Sequence, residues 1–133
     1  MKMRLLSLLI AAACIMVAAQ PGLARVRAAG LYGNLYYHYD AGDLLGSEIY
    51  IAVTAKGYTG AFLYCAGPCY PFKIIEPIVD GDAISFDVDM GDGSIMRFEG
   101  VIDPLGITGK LDFPDRLDEA ETQRWGRKDT YWN

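Results

Sequence analysis

Histidine and cysteine, the residues on which most hydrolytic, redox and metal sites depend, are scarce in this sequence. The 133 residues include one histidine, His38, and three cysteines. A catalytic zinc site needs several such ligands, and a hydrolytic triad needs a nucleophile with a positioned base. No serine stands in a Gly-x-Ser-x-Gly context, and the phosphate-binding glycine loops are missing as well. We therefore predict a protein that is not an enzyme and that uses no metal and no cofactor.

Long apolar runs are equally few, and the clearest one lies at the N-terminus. Lys2 and Arg4 precede an uncharged apolar run from Leu5 to Ala19. A basic region followed by an apolar region is typical of a secretory signal peptide. The run is shorter than the roughly 20 residues of a membrane-spanning helix. We predict that residues 1–19 are a cleaved signal peptide, with a cut after residue 24 as the alternative, and that no membrane span remains after cleavage.

Two other fates of the N-terminal segment are weaker alternatives. The segment could stay uncleaved as an anchor, or Cys14 could carry a lipid, because three alanines precede it. The apolar residues that follow Cys14 fit poorly with a lipidated N-terminus. The sequence therefore predicts a periplasmic or secreted protein.

Basic residues are outnumbered by acidic ones, 12 to 17 over the whole chain. Cleavage after residue 19 removes two basic residues and no acidic residue, which leaves ten against seventeen and a net charge of −7. Nucleic-acid-binding surfaces normally carry the opposite charge. The charge balance thus argues against a nucleic-acid partner and is compatible with a cationic protein partner.

The two cysteines outside the signal segment are close together, in Cys65-Ala66-Gly67-Pro68-Cys69. An oxidising compartment and a Gly-Pro turn between the cysteines favour a structural disulfide. A redox-active pair is the alternative, but such pairs are usually separated by two residues rather than three. We predict a Cys65–Cys69 disulfide.

Apolar and polar residues alternate along most of the chain after Leu31. This period of two is typical of strands with one face in a core and one face toward water. Glycine- and aspartate-rich turns divide the alternating segments, and turns this short join antiparallel neighbours. We predict an all-β domain over residues 25–113, an antiparallel up-and-down meander of about seven to eight strands that forms a small barrel or sandwich. The seven clearest strands are residues 31–39, 47–55, 58–65, 72–79, 83–90, 94–102 and 107–113.

Glycine recurs on the apolar face of four predicted strands, at Gly33, Gly60, Gly100 and Gly109. Glycine weakens a flat strand, so its use on a core face indicates strong bending or a close aromatic neighbour. The pattern favours a barrel over a flat sheet.

The last twenty residues, 114–133, differ in pattern from the strands. Acidic residues precede basic ones between Asp118 and Arg124, as the helix dipole prefers, and Gly126 could end a helix. Trp125, Tyr131 and Trp132 are unusual for a disordered tail. We predict a short helix or tail packed on the sheet, with a partner-binding tail as the alternative.

Two functional hypotheses from different classes follow from the fold and the composition. In the first, the barrel encloses a small apolar or aromatic ligand, a hypothesis that fails if the wall side chains fill the interior. The candidate walls are Phe62, Tyr64, Phe86, Phe98 and Phe113. In the second, the protein is an interaction module of the cell envelope, such as an inhibitor of a cationic enzyme like a lysozyme, and acts through an acidic patch. The patch comprises Asp80, Asp82, Asp87, Asp89 and Asp92.

The acidic run from Asp87 to Gly93 also invites comparison with a calcium-binding loop. An EF-hand loop requires glycine at its sixth position and glutamate at its twelfth. Counted from Asp87, this sequence has Asp92 and Phe98 at those positions. A hairpin turn accounts for the same residues.

Several short phrases resemble small secreted bacterial β-proteins of unknown function. They are Gly81-Asp82-Ala83-Ile84-Ser85-Phe86, Phe98-Glu99-Gly100-Val101-Ile102, Thr108-Gly109 and the closing Arg124-Trp125-Gly126-Arg127-Lys128-Asp129-Thr130-Tyr131-Trp132. The resemblance spans roughly the mature domain and implies no activity. The expected architecture is also similar to lipocalin-like barrels, although the Gly-x-Trp signature of that family is missing near the first strand.

Overall fold

The computed structural model describes residues 27–129 as ten antiparallel strands. The predictions for the signal peptide, Cys14, Tyr131 and Trp132 concern residues outside this range. The strands are β1 (Gly30–Gly33), β2 (Tyr36–His38), β3 (Asp43–Thr54), β4 (Gly57–Gly67), β5 (Lys73–Ile75), β6 (Ile78–Asp80), β7 (Ala83–Asp89), β8 (Ile95–Asp103), β9 (Gly106–Asp112) and β10 (Thr122–Lys128).

All ten strands belong to one curled, barrel-like sheet with the order β5-β4-β3-β1-β10-β9-β8-β7-β6, and β2 pairs with the start of β3. Every pairing is antiparallel. The predicted all-β antiparallel meander is therefore confirmed. Two predicted strands are each divided: residues 31–39 contain most of β1 and all of β2, and residues 72–79 contain all of β5 and most of β6.

The two edges of the sheet, β5 and β6, are consecutive pieces of one bent segment. Its first piece pairs with β4 and its second piece pairs with β7, with Glu76 and Pro77 at the bend. Proline has no backbone N–H to donate, which suits a position where ladder pairing changes from one neighbour to another. The edges of β5 and β7 come within 8 Å of each other (Cα–Cα) without ladder pairing. We call this gap, between Lys73–Ile75 and Phe86–Asp89, the seam.

The first and last strands lie side by side in the middle of the sheet. Leu31 of β1 is opposite Lys128 of β10. The Arg127 guanidinium donates to the carbonyl oxygen of Ala29 at 3.1 Å, across 98 positions of sequence, and lies 4.7 Å from the centre of the Tyr32 ring. Burial raises the pKa of Tyr32, whose hydroxyl donates to Ala28 at 2.7 Å. The two ends of the described chain are thereby fixed to each other.

A short C-terminal helix is not present within residues 27–129, so that part of the prediction is corrected. Residues Thr122–Lys128 form β10 instead, between β1 and β9. The charge order over Asp118–Arg124 suggested a helix, but residues 122–128 hydrogen-bond to strands on both sides and Trp125 is buried in the core. The expectation that this segment packs against the sheet is met in a stronger form, because the segment is part of the sheet.

Candidate functional site

Three of the five predicted ligand-binding residues fill the interior of the sheet. Phe62, Phe86 and Phe98 are each at most 3% exposed. The Phe86 ring lies 6.0 Å from Phe62 and is stacked on Phe98 at 4.6 Å, and Trp125 meets Phe98 edge-on at 5.1 Å. Aromatic pairs at these separations are in direct packing contact. This part of the interior is a packed aromatic core.

The other two predicted residues, Tyr64 and Phe113, lie at the rim of the core with their rings 5.4 Å apart. Tyr70 stacks on Tyr64 at 5.9 Å. Beside them is a cleft of about 80 Å³, lined by Phe62, Tyr64, Tyr70, Pro71, Lys73, Val88 and Met90. Pockets that bind drug-sized ligands have volumes of about 300–1,000 Å³. The five residues do not surround one shared cavity, and the hypothesis of an internal ligand stays a prediction.

The Cys65–Cys69 disulfide positions the loop that carries Tyr70. The two Cα atoms are 3.9 Å apart, and the sulfur atoms lie at bonding distance. The Tyr70 backbone N–H donates to the carbonyl oxygen of Tyr64 at 2.9 Å. The disulfide therefore lies at the end of β4, where it fixes the loop that places Tyr70 beside the cleft.

Other polar residues considered in the sequence analysis accept backbone hydrogen bonds within turns. The His38 Nδ1 accepts the backbone N–H of Ala41 at 3.3 Å. Asp89 accepts the N–H of Gly91, and Asp92 accepts that of Ser94, which fits the hairpin interpretation of this run. Within residues 27–129 no cluster of three or more His, Cys, Asp or Glu could hold a metal ion.

A groove of about 590 Å³ with both charged and apolar lining residues lies on the outer face of the sheet, above the seam. Alternation along β7 and β8 turns Asp87, Asp89, Arg97 and Glu99 away from the core. We call this surface the acidic groove. It is lined by Ile74, Glu76, Ile78, Ser85, Phe86, Asp87, Asp89, Ile95, Arg97 and Glu99.

Isoleucine supplies the apolar part of the acidic groove. Ile74 is 77% exposed, Ile78 is 69% exposed and Ile95 is 48% exposed. Single exposed apolar residues are ordinary, whereas these three line one concave surface. Sequence reasoning missed them, although each breaks the apolar–polar alternation by placing isoleucine at a polar position.

Carboxylates dominate the charge of the acidic groove. Arg97 donates to both oxygens of Asp87, at 2.9 and 3.3 Å, and these hydrogen bonds lower the pKa of Asp87 and raise that of Arg97. Among the described residues, Arg97–Asp87 is the one ion pair within the groove. Glu76, Asp89 and Glu99 therefore leave an excess of negative charge beside the isoleucines.

The predicted acidic patch is extended rather than compact. Asp80 and Asp82 lie at the turn before β7, whereas Asp89 and Asp92 lie at its other end. All five predicted aspartates are exposed. Asp87 and Asp89 belong to the acidic groove, and the other three do not line it.

Outside the groove, Asp103 and Arg124 form a two-point ion pair. The Arg124 guanidinium donates to both carboxylate oxygens of Asp103, and Asp103 also accepts the backbone N–H groups of Leu105 and Gly106. The hydrogen bond from Arg124 is the main cause that holds the pKa of Asp103 well below its usual range. This contact ties the turn between β8 and β9 to β10.

Because the pKa of Asp103 is lower in the folded state, its stabilising effect is present at neutral pH. We expect this effect to fade as the pH falls below about 4, the ordinary aspartate pKa, toward the folded-state value. Urea unfolding of the protein and of Asp103→Asn, at pH 6 and pH 2 and constant ionic strength, measures the effect. The stability difference between the two proteins should be smaller at pH 2, and an unchanged difference would contradict the assignment.

No protein-family model, no curated protein and no solved structure matches the chain. In residues 27–129 there is also no helix long and apolar enough to cross a membrane. Fold and site together define the class: an all-β, barrel-like domain with an aromatic core and an acidic, isoleucine-bearing groove on its outer face.

Proposed function

We propose that the domain is an exported, non-enzymatic interaction module that binds a cationic protein in the acidic groove. The observation that carries this proposal is the combination of three exposed isoleucines with carboxylates in excess in a single concave surface. Function in the periplasm or outside the cell follows from the predicted signal peptide and agrees with the disulfide.

The two kinds of side chain in the groove have complementary roles in binding. Lysine and arginine can lay their aliphatic stems on isoleucine while their charged ends reach a carboxylate. The isoleucines supply apolar contact, and the excess negative charge accelerates association with a basic partner and disfavours acidic ones. Such binding weakens as salt screens the exposed charges.

The outer groove has more support than the core as a binding site. The rings of Phe62, Phe86 and Phe98 pack against one another, and the cleft at the rim, about 80 Å³, is small for an organic ligand. A small apolar ligand stays the second candidate, with Tyr64 and Tyr70 as its nearest aromatic contacts.

The proposal predicts that the carboxylates of the groove control affinity for a basic protein. In the variant Glu76→Gln/Asp89→Asn/Glu99→Gln, we expect affinity for a lysozyme, used as the basic probe, to fall about tenfold, since exposed pairs typically contribute about 0.5 kcal/mol each. Asp87 is retained so that Arg97 keeps its partner. Isothermal titration calorimetry at 50 mM and 300 mM salt measures the affinity and its expected loss at the higher concentration.

A matched control is the variant Asp40→Asn/Asp115→Asn/Glu121→Gln, which removes the same charge at exposed positions outside the groove. Its affinity should stay within about twofold of the unmodified protein, because longer-range effects are screened. Equal losses in the two triple variants, or the absence of salt-dependent binding to the unmodified protein, would contradict the proposal.

A further inference from the structure

The outer face of the sheet differs in chemistry between its two halves. On β7 and β8, alternation places charged side chains such as Asp87 and Arg97 on this face. On β3, β4 and β5 the same alternation places Tyr50, Ala61 and Ile74 outward, each with a buried residue next to it in its strand. The outer face of an antiparallel sheet with a core on its other side is normally polar. The β3–β5 half departs from this pattern.

The outward apolar residues of this half are neighbours across the strands. Tyr50 is opposite Ala61, and Ala61 is opposite Ile74, so the three form one row. Leu63 and Phe72, two residues away from Ala61 and Ile74, share their face. Together with the β1 residue opposite Tyr50, they form a continuous surface that we call the apolar face. Its residues are Leu31, Tyr50, Ala61, Leu63, Phe72 and Ile74.

The apolar face is accessible and adjoins the acidic groove. Phe72 is 63% exposed and Tyr50 is 40% exposed. Ile74 belongs to the apolar face and also lines the groove, so the two surfaces are continuous. Contiguous apolar surface with a polar rim is typical of protein interaction sites.

The acidic groove is smaller than a complete protein-binding surface. Ten residues line it, whereas a specific interface involves about 20–30 residues on each side. A contact of that size therefore extends beyond the groove. Beyond β8 the surface carries charges of both signs, including the Lys110–Glu119 ion pair, and beyond β5 lies the apolar face. The centres of interfaces are depleted in charged residues and enriched in aromatic ones, which favours the apolar face.

We propose that the cationic partner is a folded protein that also covers the apolar face, with Phe72, Tyr50 and Ile74 at the centre of the contact and the groove carboxylates at its rim. This inference rests on the proposed function and specifies the partner's surface, an apolar patch bordered by lysine or arginine side chains. Contacts at the centre chiefly determine how slowly the complex dissociates, whereas charges at the rim chiefly determine how fast it forms.

A variant of the apolar face tests its contribution without any change of charge. We expect Tyr50→Thr/Phe72→Ser, which alters no residue that lines the groove, to lower affinity for lysozyme at least tenfold, mainly through faster dissociation. Surface plasmon resonance at 50 mM and 300 mM salt measures both rates. The loss should be equal at the two salt concentrations, because salt screens charges and not apolar contacts. Phe72 lies outside the strands, so Phe72→Ser alone, with an expected loss of at least threefold, avoids any change within β3.

The variant Leu105→Ser/Leu117→Ser is the matched control, because it removes two exposed apolar side chains outside both surfaces. Its affinity for lysozyme should stay within about twofold of the unmodified protein. A peptide of ten lysines is the matched ligand, since it is cationic but has no apolar patch. Tyr50→Thr/Phe72→Ser should bind this peptide as tightly as the unmodified protein does. Equal affinity of the apolar-face variant and the control variant for lysozyme would overturn the inference.

The outcomes separate this inference from the proposed function. If the groove carboxylate variant loses affinity for lysozyme and Tyr50→Thr/Phe72→Ser does not, the apolar contact is wrong and the proposed function stands. If lysozyme binding shows no dependence on salt, the proposed function fails and the inference fails with it. Sedimentation velocity of the protein alone examines the remaining occupant. A concentration-dependent dimer that Phe72→Ser abolishes would assign the apolar face to a second copy and would overturn the inference.

Discussion

Replacement of Trp125 by alanine is expected to lower the free energy of unfolding by about 3–5 kcal/mol, the range for a fully buried tryptophan. Trp125 is 0% exposed and lies in β10, where its ring makes a T-shaped contact with Phe98 at 5.1 Å. Domains of this size are stabilised by only about 5–15 kcal/mol in total. The change would therefore remove a large share of the total stability.

Part of the expected stability loss comes from a buried hydrogen bond of Trp125, and a double-mutant cycle can isolate its contribution. The Trp125 indole N–H donates to the hydroxyl of Ser47 at 2.7 Å, and Ser47 is the one buried polar side chain in the described core. Trp125→Phe and Ser47→Ala each leave one buried group without a partner, a loss of about 1–3 kcal/mol. The double variant leaves neither group, so its stability should be higher than the sum of the single losses predicts.

Urea unfolding followed by circular dichroism measures all four proteins of the cycle. Strict additivity of the two single losses would show that the hydrogen bond has no measurable net effect. A loss below about 1 kcal/mol in Trp125→Ala would mean that the indole does not occupy the core in solution.

The second large effect is expected at Gly109, where alanine should destabilise the fold by about 3 kcal/mol, the upper part of the usual range for overpacking. Gly109 of β9 is directly opposite Gly100 of β8. A Cβ atom at position 109 would lie 2.4 Å from the backbone oxygen of Glu99 and 3.0 Å from the Phe98 ring. Since the nearest atom belongs to the backbone, relief of the contact requires the two strands to move apart.

Gly126 is the matched control for this change. It also lies within a strand, but a Cβ atom there would lie 3.9 Å from the backbone oxygen of Gly33, an ordinary contact distance. We expect Gly126→Ala to change stability by less than about 1 kcal/mol, since alanine in a compatible site can even stabilise through the unfolded state. Thermal unfolding of both variants makes the comparison, and equal losses would contradict the role assigned to Gly109.

The strands were predictable because apolar and polar residues alternate even in short segments such as Ile84–Val88, and the apolar ones are buried. The sequence-based error at Asp118–Arg124 has a specific cause. The order of acidic and basic residues is a weak predictor of a helix. Here the pairing of β10 with β1 and β9 and the burial of Trp125 outweigh that helix preference. The division of residues 72–79 at Pro77 was missed because the change of partner there depends on closure of the sheet, which no local pattern encodes.

The sequence predicted only some of the residues that line the acidic groove. Asp87 and Asp89 were identified from composition and alternation, but their neighbours Ile74 and Glu76 come from another edge of the sheet. Their approach to β7 follows from the curvature of the whole sheet. The packing of Phe62 against Phe86 likewise depends on contacts across the seam, and the sequence alone could not distinguish a filled interior from an empty one.

The contact between the first and last strands has a kinetic consequence. Hairpins such as β7–β8 close loops of a few residues and can form early, whereas the β1–β10 pair closes a loop of nearly the entire domain, which has a larger entropic barrier. A chain that emerges from a ribosome, N-terminus first, holds β1 without its β10 neighbour until residues 122–128 have emerged. Trp125 and the Arg127 side chain that contacts Ala29 belong to that same strand. The central β1–β10 pairing therefore forms only after β10 has been synthesised, whereas hairpins such as β7–β8 can form earlier.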